Sequence, residues 1–135
     1  MANGGWTGTK AAWERIEGPL LEIDPIIAAF AKEHALSVSR NHKDWPERSV
    51  VWGDDVRCLI QLYLADAASL TFNLWLCASR DRGGKRYWKQ ETPIKGMRVP
   101  DFKHDLAAQL RTGRIKLLEW AMNEGQLEPA ARSGR

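Results

Sequence analysis

Between residues 80 and 103 the chain carries eight basic and three acidic groups, whereas residues 1–55 carry six basic and nine acidic. The basic stretch interleaves rings with cations at Lys85-Arg86-Tyr87-Trp88-Lys89. Cations with adjacent aromatics are the chemistry of a surface that meets backbone charge and stacks bases. Arg80, Arg82, Lys85, Arg86 and Lys89 are therefore the candidate anion-binding set, for a nucleic acid or another polyanion. The glycines Gly83-Gly84 lie among them but join two expected strands. A phosphate loop needs a strand followed by a helix, so this is not one.

A second candidate is a sheet face. Residues 56–65 alternate Val56, Cys58, Ile60, Leu62 and Leu64 with Arg57, Leu59, Gln61, Tyr63 and Ala65. Residues 70–79 alternate Leu70, Phe72, Leu74, Leu76 and Ala78 with Thr71, Asn73, Trp75, Cys77 and Ser79. One row is apolar throughout and one is mixed, the mark of a sheet with a dry side and a partly wet side. The mixed row, with Arg57, Gln61, Tyr63, Asn73 and Trp75, and with Tyr87 from the next strand, forms the expected binding face. Its amphipathic character suits a second subunit or another protein. The opposing structural reading lays the N-terminal helix over it and makes Tyr63 and Trp75 core.

Catalytic and metal chemistry are poorly served. The three histidines, His34, His42 and His104, fall on three different elements. Cys58 and Cys77 show no paired C-x-x-C spacing, and the hairpin is expected to set them near opposite ends of adjacent strands, on different sides. Serines and acids occur without a nucleophile turn, and Asp54-Asp55 suits turn chemistry. An enzyme with a pocket beside the sheet, using His42 or His104, stays as an alternative. No residue is assigned a catalytic role, and the sequence carries no cofactor or metal signature.

The elements that must position these residues follow from period and punctuation. Residues 9–17 read as a short helix stopped at Gly18-Pro19. A second helix is expected from Pro25 to about residue 35, capped by Asp24, with Ile26, Ile27, Phe30, Ala31 and His34 on one face. Short strands are expected at 36–41 and 49–52, then the hairpin 56–78, then a charged edge strand at 86–92 ended by Pro93 and Gly96. A long helix from Pro100 to about residue 124 repeats Phe102, Leu106, Leu110, Gly113, Leu117 and Ala121. Among the seven tryptophans, Trp45 and Trp88 are the expected exposed ones, and Trp13, Trp52 and Trp120 the expected core ones.

This predicts one α+β domain over residues 9–125: a two-layer sandwich with an antiparallel meander of four or five strands, two N-terminal helical segments and one long C-terminal helix. Residues 1–8 and 126–135 are expected to be flexible. The longest nearly uncharged run, 67–79, is too short for a lipid-spanning helix, and 1–9 lack the features of a secretory leader. With only two cysteines, a cytoplasmic, reducing location is expected. The leading functional expectation is a small binding module that self-associates through the mixed face.

Overall fold

Ile16, Leu20, Ile23, Ile27, Phe30 and Ala31 are all buried and recur at helical spacing. In the computed structural model, which describes residues 10–40 and 46–130, they lie along one unbroken helix, α1 (Lys10–Glu33). The expected division into two segments is thus corrected, since Pro19 and Pro25 both sit inside the helix. Interior proline costs about 3 kcal/mol. Burying five large side chains along one stripe contributes roughly 1.5–3 kcal/mol each and outweighs two such costs. The carbonyls that lose their partners belong to Arg15 and Leu21, both at exposed positions, where water can replace the bond. The helix ends where Ala35 turns left-handed (φ 57°) and the Leu36 N–H returns to the Ala31 carbonyl at 2.7 Å.

Six strands follow: β1 (Val38–Arg40), β2 (Glu47–Trp52), β3 (Arg57–Asp66), β4 (Thr71–Arg82), β5 (Lys85–Met97) and, after helix α2 (Val99–Met122) and a 3-10 turn (Glu124–Gln126), β6 (Glu128–Pro129). They form a single antiparallel meander in chain order. The sixth strand comes from the segment expected to be a frayed tail. Leu127 is buried there, and the Ala130 N–H donates to the Arg86 carbonyl at 2.8 Å. Burial of one leucine and a short ladder hold this segment on the sheet. Residues 1–8 and 131–135 lie outside the described residues.

Strand β5 runs through Pro93 and Gly96, which were expected to end it. Register shifts between Phe72 and Leu74, and between Leu74 and Leu76, absorb the extra residues as bulges. Beyond Trp88 no described strand pairs with the outer edge of β5. A missing amide at Pro93 therefore costs no ladder bond, and bulges with Lys95 discourage edge pairing.

Both helices pack on the dry side. Val50, Cys58, Ile60, Leu62, Leu64, Phe72, Leu74, Leu76, Ala78 and Ile94 meet the α1 stripe and Val99, Phe102, Leu106, Leu110, Leu117 and Trp120 of α2. Glu22 bridges Lys103 at 3.3 Å and Glu33 bridges Arg111 at 3.7 Å, in ascending order, so the helices run in the same direction. Gly113 lets α2 lie close: a Cβ built there would stand 2.8 Å from Leu76 Cδ2. The helix continues through it as one element.

One charge is buried in this interface. Arg48 shares the dry side of β2 with Val50, opposite Leu62, and is 6 % exposed. Its Nε and Nη2 donate to the two carboxylate oxygens of Asp24 at 2.7 and 3.2 Å, and Nη1 donates to the Glu47 carbonyl at 3.0 Å. Asp24 was expected to cap a helix; it lies within α1, and its carboxylate receives Arg48.

Candidate functional site: the uncovered sheet face

The register of β3 and β4 places Gln61 opposite Trp75 and Tyr63 opposite Asn73. Ser49 of β2 sits opposite Gln61, and Gln90 and Trp88 of β5 sit opposite Cys77 and Ser79. All of these point away from the helices. Among the described residues no element lies over them, so α1 does not cover this side. Arg57, opposite Ser79, stands exposed at the rim.

The polar groups of the face are paired with one another. Gln61 Nε2 donates to Ser49 Oγ at 3.2 Å, and Trp75 Nε1 donates to Gln90 Oε1 at 2.8 Å. Asn73 Nδ2 donates to the Tyr63 hydroxyl at 3.0 Å, while Asn73 Oδ1 accepts the Gly96 N–H at 2.7 Å. That last bond satisfies an amide in the β5 bulge, where Gly96 has φ 62°. Trp75 and Trp88 meet edge to face, 6.4 Å between centroids and 84° between planes, an arrangement aromatic pairs favour. Their rings and Leu59 are half-buried, and Val51 is 39 % exposed.

Tyr87 was expected on this face and is not there. It pairs with Arg80 and packs against the core from the helix side. A shift of one residue in register moves every side chain of a strand to the other side. Trp88 and Gln90 occupy the place assigned to Tyr87. The signal was present: a two-residue Gly83-Gly84 turn, with φ 59° and 80°, sets Arg82 opposite Lys85 and hence Ser79 opposite Trp88.

The pleat also divides the basic set. Arg80, Arg82, Lys85 and Lys89 lie on the helix side of the β4–β5 hairpin, and Arg86 lies on the other. Arg86 Nε meets Asp81 Oδ1 at 3.3 Å, and Arg80 Nη2 meets Asp55 Oδ2 at 3.1 Å. Lys89 donates to Gln126 Oε1 at 3.2 Å and lies 5.5 Å from the centroid of the Trp120 ring.

The two thiols are adjacent, not at opposite ends as expected, because antiparallel pairing brings the start of β3 to the end of β4. Cys58 pairs with Ala78, the neighbour of Cys77. They point to opposite sides, and both are free and buried. Burial pushes each thiol up to about 11; at Cys77 the Arg86 charge pulls it back by less than burial raises it. The folded state holds these protons more tightly. The associated stability is complete below pH 9 and is lost as pH rises towards 11. At pH 8 a disulfide reagent should label the folded thiols at least about a hundredfold more slowly than those of the denatured chain. Equal rates in the two states would contradict this burial.

His42, Asp44 and Trp45 lie outside the described residues. His104 is exposed on α2. His34 stacks beside Phe30, 5.0 Å between centroids. Its Nε2 is buried without a hydrogen bond, and the Glu33 carboxylate is 3.8 Å away, within ion-pair range only. Asp54 and Asp55 follow Gly53 in the β2–β3 turn. Trp120 is buried, while Trp52 and Trp88 are half-buried. Among the described residues no three His, Cys, Asp or Glu side chains converge as a metal site. Among the described residues no helix is long and apolar enough to cross a membrane.

Comparison of the chain with protein-family models, with curated proteins and with solved structures finds no match. The functional reading therefore rests on the geometry of the face alone.

Proposed function

We propose that this protein is a small binding module that pairs with a second copy of itself through the mixed face of the sheet. The observation that carries this is the state of the polar groups there. Gln61 with Ser49, Tyr63 with Asn73, and Trp75 with Gln90 are already bonded within the face. Each of these bonds is kept when the face is covered, so part of the desolvation penalty is avoided. What a partner would bury is the rings of Tyr63, Trp75 and Trp88 with Leu59 and Val51, the residue types that anchor interfaces.

The charge pattern favours a second copy. Gln61, Tyr63, Asn73, Trp75, Cys77, Trp88 and Gln90 carry no formal charge, and the rim holds both signs in Glu47, Arg57, Asp81 and Arg86. In a two-fold interface the same patch meets itself, which a strongly charged centre would forbid. Sedimentation at micromolar concentration should show a dimer. Trp75→Glu places a carboxylate in the centre and should raise the dimer dissociation constant at least about a hundredfold. A chain that stays monomeric at about a hundred times that concentration would end this reading.

A further inference from the structure

The uncovered face carries two opposite charges at its two ends. Arg57 opens β3, opposite Ser79, and Glu47 opens β2, opposite Tyr63. The extended chain from Arg57 to Tyr63 is about 20 Å long, so the two charges cannot reach each other within one copy. Neither forms an ion pair among the described residues, whereas Asp81 and Arg86 neutralise one another at 3.3 Å. Resting on the self-pairing proposed above, we propose that the second copy docks with its strands reversed. The two-fold axis then runs across the strands, in the plane of the interface, and Arg57 of each copy pairs with Glu47 of the other.

Sheets stacked face to face keep their strands within about 30° of one another. That leaves two directions for the axis, along the strands or across them. An axis along the strands leaves every residue at its own level. Arg57 then meets the level of Ser79 and Trp88, Glu47 meets that of Tyr63 and Asn73, and the charges stay about 20 Å apart. An axis across the strands exchanges the two levels. Passing midway, at the height of Ile60 and Leu76, it sets Arg57 over the Tyr63 position of the other copy. Glu47 lies one strand to the side, about 4.8 Å, an offset that an arginine side chain spans.

The centre of the face fits the same axis. The row of Gln61 and Trp75 comes to lie on the row of Leu59 and Cys77. Each indole thus meets a leucine and a thiol, a contact that sulfur makes favourably, and not its own row. The axis repeats every contact, so one dimer holds two Arg57–Glu47 pairs. Charge complementarity of this kind selects an orientation more than it adds affinity.

The test is sedimentation of the full chain at ~50 mM salt, with Arg57→Glu, Glu47→Arg and the variant carrying both. Each single variant sets like charges together twice per dimer and should raise the dimer dissociation constant at least about tenfold. The double variant restores opposite charges and should return to within about threefold of the wild-type chain. An equimolar mixture of the two single variants should form a heterodimer at least about tenfold tighter than either homodimer, because both of its contacts join opposite charges. Rescue in the double variant and in the mixture excludes misfolding as the cause of the single losses. A monomeric wild-type chain would overturn the self-pairing and this orientation together. A dimer that Trp75→Glu breaks, but that shows no rescue in the double variant or no gain on mixing, would overturn the orientation alone.

Discussion

Replacing Asp24 by Ala should cost about 3–5 kcal/mol of stability, read as a fall in the denaturation midpoint at unchanged slope. The substitution removes the carboxylate that meets both Nε and Nη2 of Arg48 at 2.7 and 3.2 Å. Arg48 is left charged between a helix and the dry side of a sheet, opposite Leu62, at 6 % exposure. The remaining bond to the Glu47 carbonyl satisfies one donor and neutralises nothing. A domain of this size has about 5–15 kcal/mol in all, so the loss threatens folding itself. Replacing both partners, Asp24→Leu with Arg48→Met, should recover most of the stability, because two apolar groups of similar volume carry no desolvation penalty. Salt at ~0.5 M should change the single-variant loss little, since a buried pair is poorly screened. A loss under about 1 kcal/mol would mean that water reaches the pair.

Gly53→Ala should cost about 3 kcal/mol or more. Gly53 joins β2 to β3 with φ 95°, a conformation that side chains rarely adopt. A Cβ there would fall inside the van der Waals shell of the Val56 carbonyl oxygen, which is backbone and cannot rotate away. Relief would require moving the start of β3, and with it the buried Val56 and Cys58. Gly18→Ala supplies the contrast. Gly18 is inside α1, and apart from its chain neighbours and its own helix nothing lies within 4 Å of a built Cβ. A propensity gain of about 0.5–1 kcal/mol is set against the crowding of that Cβ by the Pro19 ring, and the variant should change stability by less than about 1 kcal/mol. Thermal or chemical unfolding of the two variants side by side reads the difference. Equal and small effects would show that the β2–β3 turn relaxes freely.

The alternation in residues 56–65 and 70–79 was enough to specify the central hairpin and its dry side. Strict period-two patterning with a wholly apolar row has one low-energy solution, and helices with apolar stripes must cover it. The two-layer α+β architecture and the long C-terminal helix, with Gly113 close on the sheet, follow from the same local information. So do the mixed residues Gln61, Tyr63, Asn73 and Trp75 and the shared side of Arg80 and Arg82, because each depends only on parity along one hairpin.

Tertiary structure decided the rest wherever a distant contact outweighed a local preference. Pro19 and Pro25 argue locally for breaks, yet burying the Ile16–Ala31 stripe keeps α1 whole. Asp24 looks like a cap until Arg48, 24 residues on, takes its carboxylate. Leu127 and β6 join the sheet only because β5 offers an edge to pair with. Tyr87 and Trp88 are the exception, because the local two-residue Gly83-Gly84 turn set their sides. The basic stretch shows the same division of information. Its charges are evident in the sequence, but whether they act together depends on the pleat and on partners such as Asp55, Asp81 and Gln126, which only the folded chain brings near.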